Sequence, residues 1–338
     1  SDFKAMTTAQ INALTSAQIA AMEDADIQAL SKNQISALSA TALAGADTDI
    51  YHKLDLLGAA QLKALTTTQL NAFTTAHVEH LTAADIPNLS ATQLNALNSD
   101  AIQHLDSTQL QAISTAQIRG LNSNFLSNLT SDQIQSLDSS QIGAMTGVQL
   151  GYFSTANIAG LSTDILQGLT STQMRGLSTG VIQAFSSDQI NSFSTAQFSQ
   201  LNATQIGAID SDDIKNLRSN LLTAMSAKQI GGLSSDDVAA LQTSQINSLS
   251  VAQLRGISAA RMANLSSDQS KALSQSQVAA LTAAQLNGLT TGVTGAVGAL
   301  DTQDINGISN NVLRQLNTSF IAAMSSNQIS NLNIAQPA

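Results

Sequence analysis

Leu129-Thr130-Ser131-Asp132-Gln133-Ile134-Gln135-Ser136 is followed without a break by Leu137-Asp138-Ser139-Ser140-Gln141-Ile142-Gly143-Ala144. The two octads share leucine at position 1, an oxygen-bearing side chain at position 2, Gln at position 5 and Ile at position 6. The same register runs outward in both directions. Between Leu57 and Leu289 an apolar residue stands at every eighth position, and the 232 residues from 57 to 288 make 29 octads. Position 6 is apolar in all of them except at Ser270. Position 2 is Ser, Thr, Asn or Asp in 26 of the 29, the exceptions being Gly58, Arg218 and Gln242, and position 5 is Gln in 18. The polar positions are therefore specified nearly as tightly as the apolar ones, and both need a structural reason.

Helix capping supplies one. A Ser or Thr followed three residues later by Gln is a capping box: the hydroxyl accepts from the N3 amide, and the Gln side chain reaches back to the N–H of the cap. Positions 1 and 6 then fall at N′ and N4, where a hydrophobic staple forms. Asp132 adds a carboxylate in the first turn, where the helix dipole favours it. Each octad encodes one helix start, and the chain bends into the next cap at positions 8 and 1.

A single long helix does not fit this period. Eight residues at about 100° each overshoot two turns by roughly 80°, so the apolar positions would spiral around the axis. Left- and right-handed coiled coils need apolar periods near 3.5 and 3.67 residues. A β-solenoid calls for strict alternation of β-branched residues, whereas Ala and Gln, both helix formers, fill these octads. The sequence predicts an all-α solenoid or superhelix of very short capped helices, stacked because no octad can bury its own apolar pair.

Octads also run from Met6 to Leu38 and from Leu300 to Leu332, and the register slips by three residues between these segments and the central array. At the slips the apolar spacing becomes i, i+4, i+7, at Ile50, Leu54, Leu57 and at Val293, Val297, Leu300, which predicts lengthened helices. The expected organisation is one continuous solenoid over 1–338: octads in 1–46, a lengthened helix in 47–57, regular octads in 57–289, a second lengthened helix in 290–300, octads in 300–332 and a tail in 333–338. Apolar replacements of the position-5 Gln (Ala101, Phe125, Ile165, Val181, Leu221) are spaced by 24, 40, 16 and 40 residues. These spacings suggest a 40-residue unit of five octads, with 2.5 or five octads per coil. Pro87, at position 7, removes one helical hydrogen bond. Both ends look like ordinary octads rather than polar terminal repeats, as in a piece of a longer array or a chain whose ends meet other copies. The first residue is Ser1 rather than Met, in keeping with an excised or processed segment.

Composition narrows the function. Only 11% of the 338 residues are charged and 3% aromatic; there is no Cys or Trp, and the formal net charge is −10. Without Cys there is no disulfide framework, thiolate nucleophile or Cys-ligated metal. An acidic chain poor in Arg and aromatics lacks the footprint of a nucleic-acid binder, and no apolar run approaches the roughly 18 residues of a membrane span.

Candidate sites are sparse. His77-x-x-His80 places two imidazoles about one helical turn apart, and His104 follows three octads after His80; such a set is the first place to look for a metal or haem. Asp210, Asp212, Asp213 and, three octads on, Asp236 and Asp237 are the candidates for Ca²⁺. The competing readings are solvent-facing substitutions for the histidines and first-turn dipole complementarity for the acids. Arg119, Arg175, Lys215 and Arg255 all fall at position 7, as residues of a solvated face do. Ser recurs as a cap and forms no unique Ser/His/Asp constellation. Gly292, Gly295 and Gly298 lack the Lys of a phosphate loop. Thr-rich rows invite an ice-binding reading, but position 2 exchanges Thr freely for Ser, Asn and Asp, keeping the capping oxygen and losing the methyl. The expectation is no catalytic residue and no cofactor.

Octads such as Met6-Thr7-Thr8-Ala9-Gln10-Ile11 and Leu281-Thr282-Ala283-Ala284-Gln285-Leu286 resemble repeats of large secreted proteobacterial surface proteins of the adhesin-like or haem-utilisation kind. The resemblance covers nearly the whole chain. It implies export and a cell-surface or extracellular role, and it carries over no functional residue. The expected function is a non-enzymatic structural element, a filament or surface-layer subunit or an adhesin stalk. Its partner would be itself or the rest of a longer surface protein. A ligand-binding module for metal, haem or glycan is the alternative.

Overall fold

In the computed structural model, which describes residues 2–45, 48–292 and 295–332, the octads are short helices. Among the described residues there are 38 α-helices, two 3-10 helices and no strand. Every α-helix has four to six residues except Thr48–Asp55, which has eight. Such pieces are too short to persist alone in water, so caps and packing must hold them.

The helix Ser131–Ser136 shows how. Thr130 sits in extended backbone at φ −75°, ψ 165°; its Oγ1 accepts from the Gln133 N–H at 3.3 Å, while the Thr130 N–H donates to Gln133 Oε1 at 2.9 Å. The helix closes at Leu137, again extended at φ −69°, ψ 138°, and Asp138 caps the next. No non-glycine residue among those described has positive φ. The bend is made wholly in backbone conformations open to any L-residue, so the repeat needs no glycine at its corners.

The chain divides into two compact units, Ser1–Leu169 and Thr170–Ala338, where the sequence reads as one array. Within each, helices three octads apart pack on one another. In the first unit Thr8–Asn12 lies on Lys32–Ala37 and Thr115–Gly120 on Ser139–Ala144; in the second, Ala227–Ile230 lies on Val251–Gly256 and Ala259–Met262 on Ala283–Gly288. Positions 1 and 6 make the core, as at Leu62, Leu65, Leu70 and Phe73, all no more than 4% exposed. The architecture is a helical solenoid in each unit.

Hydrogen bonds between coils set the pitch. In the regular octads position 5 reaches carbonyls 31 and 28 residues back, as from Gln93 to Leu62 and Leu65 and from Gln253 to Leu222 and Met225. A coil thus takes between three and four octads, not the 2.5 or five expected from the spacing of the apolar position-5 residues. At three of those residues, Ala101, Phe125 and Leu221, another side chain does the work of Gln, as described below, so their spacing does not mark the phase of the coil.

The slips are visible as longer reaches. Gln61 donates to Ile27 and Leu30, and Gln69 to Ile35 and Leu38, spanning 34 and 31 residues. The three extra residues lie in the Thr48–Asp55 helix, with Ile50 and Leu54 buried. At the second slip the structure departs from the lengthened helix expected over 290–300. The helix Ala283–Gly288 ends, turns follow, and Gly295 takes φ +91°. Glycine disfavours helix, and Gly292, Gly295 and Gly298 cluster here. Val293 lies outside the described residues; Val297 and Leu300 are buried.

Ser270, the one polar residue at position 6, is fully buried and its Oγ has no hydrogen-bond partner. An unpaired buried hydroxyl costs about 1–3 kcal/mol. Ser270→Ala is expected to raise the stability of the chain by about 1 kcal/mol, read as a higher denaturation midpoint at unchanged slope.

Candidate functional site

The residues that stand out chemically are the glutamines of position 5, because they are polar, repeated and buried. Gln69, Gln141, Gln205 and Gln269 are 1–3% exposed. Burying a carboxamide is tolerable only when its hydrogen bonds are made. Gln205 makes them at both ends. Its Oε1 accepts the Asn202 N–H at 2.8 Å, completing the capping box, and its Nε2 donates to the Met174 and Leu177 carbonyls at 2.9 and 2.8 Å. Met174 and Leu177 occupy positions 6 and 1 of the coil before. These are last-turn carbonyls, which a helix cannot satisfy internally. Each Gln therefore caps the start of its own helix and the end of the helix beneath. This also explains why the repeat uses Gln rather than Glu, which caps equally well but brings no donor.

A second ladder runs the opposite way on the exposed side. Position-7 side chains donate to position-8 carbonyls 25 residues ahead: Asn12 to Ala37 (2.9 Å), Asn95 to Gly120 (2.8 Å) and Asn191 to Asn216 (3.1 Å). Arg255 joins it through Nε to the Ala280 carbonyl at 2.9 Å, and Arg175 bonds the Gln200 side chain. These two basic residues, read from sequence as a solvated face, are exposed yet tie coils together.

At three apolar position-5 residues a neighbour replaces the missing donor. Beside Ala101, Asn98 Nδ2 reaches the Phe73 carbonyl at 2.7 Å; beside Phe125, Asn124 Nδ2 reaches that of Leu97 at 3.4 Å; beside Leu221, the Arg218 guanidinium reaches that of Phe193 at 3.0 Å. In each case the carbonyl lies 28 residues before the apolar position-5 residue, the one a Gln would have taken. The sequence carries a signal for this in the company these apolar residues keep, Asn98 with Ala101 and Arg218 with Leu221.

His77 is part of the same ladder. It is fully buried. Nδ1 faces the Thr74 N–H at 3.1 Å and Nε2 faces the Leu43 carbonyl at 2.6 Å, which assigns the proton to Nε2. The imidazole stands in for a carboxamide, stacked on Phe73 at 5.1 Å and edge-on to Tyr51 at 4.7 Å. Burial pushes its pKa below the usual imidazole range, against the opposing pull of the Leu43 carbonyl. Both ring nitrogens are committed. His80 lies nearer the surface, paired with Asp55 at 3.1 Å and stacked on the ring of Tyr51 at 5.8 Å. His104 bonds the Asp100 carbonyl of its own helix at 2.8 Å. The three histidines grouped by sequence are not brought to one site.

The acids divide likewise. Asp210 caps its helix by accepting from the Asp212 N–H at 2.9 Å, and Asp212 and Asp236 are exposed. Asp213 and Asp237 occupy position 5. Asp213 is half-buried and accepts from Ser187 Oγ; Asp237 is buried and accepts the Ser234 N–H at 2.7 Å. Burial raises the pKa of both above the usual carboxylate range. Among the described residues no three His, Asp or Glu side chains are placed to hold a metal ion.

Asp237 is a gap in the ladder. By register its Gln equivalent would donate to Ile206 and Ile209. Asp237→Gln should stabilise the chain by about 1–3 kcal/mol at pH 7. With the folded pKa raised, the stability that the protonated carboxyl provides is full below about pH 3.9 and is lost as pH rises through the folded value. The gain from Asp237→Gln should therefore grow from acid to neutral pH in parallel chemical denaturations.

The fold and the ladder define a helical repeat protein whose recurring polar residues serve the backbone. The ALTTAQ repeat family matches this chain at residues 1–32, 102–138, 110–147, 206–243 and 297–333, together a little under half of it and within both units. That name spells positions 8, 1, 2, 3, 4 and 5 of the octad, the cap and its Gln included. No curated protein matches the chain. No helix among the described residues is long and apolar enough to cross a membrane.

Proposed function

We propose that this is a non-enzymatic, self-associating structural protein that works outside the cell or at its surface, as a filament or surface-layer subunit or the stalk of an adhesin. The observation that carries this reading is the use made of the polar residues. The repeated Gln, Asn, Ser and Thr side chains are spent on capping helices and on bonding one coil to the next, which is what a load-carrying scaffold requires and what a reactive site does not. Its extracellular setting rests on the resemblance of the octads to repeats of secreted surface proteins. Negative-stain microscopy of the purified chain at rising concentration is expected to show ordered assemblies. Thermal unfolding with Ca²⁺, Zn²⁺ or haem added in turn is expected to leave the midpoint unmoved. A saturable rise with one of them would favour the ligand-binding module instead, since a ligand of the folded state stabilises it by mass action.

A further inference from the structure

Charge is sorted by face in the second unit. Asp188, Asp212 and Asp236 are exposed at position 4 of the helices Ser187–Ser192, Ser211–Lys215 and Ser235–Ala240, which stack coil upon coil. Dipole complementarity favours an acid at position 4 of every octad alike. It does not explain why three acids, each 24 residues from the next, stand in one row, where like charges repel. A different stack, Ala203–Ile206, Ala227–Ile230 and Val251–Gly256, carries the opposite sign. Along it runs a groove of about 530 Å³ lined by Ala203, Ala227, Gly231 and Gly256, with Lys228 and Arg255 exposed on neighbouring coils. The octads that build it, 201–208, 225–232 and 249–256, contain no acid. Inside the chain these cations are little used. Lys228 has no hydrogen-bond or ion-pair partner among the described residues, and Arg255 spends only Nε, on the Ala280 carbonyl. The ion pairs among the described residues all lie in the first unit, at Asp24, His52, Lys53, Asp55 and His80.

The two surfaces match in sign and in spacing. Both repeat by the rise of one coil, so two carboxylates on neighbouring coils can face two cations on neighbouring coils with no change of pitch. We propose that the groove of one copy takes the acidic row of a second copy lying beside it, with Asp212 and Asp236 paired to Lys228 and Arg255. The Ala and Gly lining lets the short Asp side chains come close, and the charges set register and orientation more than strength. The partner is a second copy of this chain because its carboxylates repeat at the coil spacing, which an unrelated polyanion has no reason to do. The contact is heterologous: each copy keeps a free groove and a free row, so association propagates sideways. The inference rests on the self-association proposed above and gives it a direction, towards a layer or bundle.

The test uses two variants of the full chain. Lys228→Glu/Arg255→Gln takes the positive charge from the groove; a Gln at position 7 can still reach the carbonyl 25 residues on, as Gln111 reaches that of Ser136. Asp212→Lys/Asp236→Lys reverses the row at exposed positions. Circular dichroism of each should match the wild type. In sedimentation velocity at low salt, where charge is least screened, the wild type should grow in mass with concentration, and each variant alone should associate at least tenfold more weakly. An equimolar mixture should associate again, because the intact row of the first variant meets the intact groove of the second. Wild-type chain that stays monomeric overturns both this inference and the self-association on which it rests; polygalacturonate that then binds the wild type and not the groove variant would give the groove to an acidic glycan instead. Either variant associating as the wild type does overturns the inference alone, as does a mixture of non-associating variants that stays monomeric.

Discussion

Gln205→Glu should destabilise the chain by about 3–5 kcal/mol at pH 7, as large as breaking a buried ion pair. The substitution changes one atom. Glu still accepts the Asn202 N–H, so the cap survives, but the carboxylate is set against the Met174 and Leu177 carbonyls, which now receive no donor. The site is 2% exposed, so water cannot relieve the repulsion. Burial beside two carbonyl oxygens raises the folded pKa of the new acid. The protonated form, which can still donate to one carbonyl, is fully present below about pH 4.3, and its stabilisation is lost as the pH rises through the folded value. The deficit should therefore shrink in acid, which Gln205→Ala would not show. Gln10→Glu is the control: Gln10 is exposed and, among the described residues, its Nε2 meets no carbonyl of another coil, so the loss should be within about 0.5 kcal/mol. Urea denaturation of the three variants at pH 7 and pH 4 reads all of this.

Gly256→Ala should cost about 1–3 kcal/mol through a clash alone. A Cβ on Gly256 would stand 2.1 Å from the Ala227 carbonyl oxygen and 3.0 Å from its carbon, and neither backbone atom can step aside without parting the coils. Gly232, Gly288 and Gly292 meet Ala203, Ala259 and Ala263 in the same way, so this is how the coils of the second unit approach closely. A Cβ on Gly143, inside the helix Ser139–Ala144, would meet nothing within 4 Å. There the helix propensity of Ala decides, and Gly143→Ala should stabilise by about 0.5–1 kcal/mol. Opposite signs from one substitution, seen in paired melting curves, would separate the packing role from the conformational one.

The helix starts were legible because a cap is local. Thr130 and Gln133 are three residues apart, and their chemistry is complete within one octad. The other half of Gln was hidden because its carbonyls lie 28 and 31 residues away, and no short-range pattern distinguishes a Gln that only caps from one that also donates. The same distance concealed the coil. Spacings among Ala101, Phe125, Ile165, Val181 and Leu221 suggested forty residues, whereas at Ala101, Phe125 and Leu221 what matters is that Asn98, Asn124 or Arg218 is at hand to take the carbonyl. His77 was misplaced for a related reason. A histidine in place of the capping Gln reads either as a metal ligand or as a solvent-facing substitution, while the imidazole in fact spans the same donor and acceptor as the carboxamide and is buried for doing so. At the second slip the apolar spacing favoured helix, and the glycines at 292, 295 and 298 outweighed it.

Hydrogen exchange of the Gln side-chain amides tests the ladder most directly. With ¹⁵N-labelled Gln, the Nε2 protons of Gln69, Gln141, Gln205 and Gln269 should exchange as slowly as the backbone amides of the core, while those of Gln10 and Gln18 exchange at the rate of free carboxamides. Exchange equally fast at all six would mean that the buried glutamines do not bond the coils together.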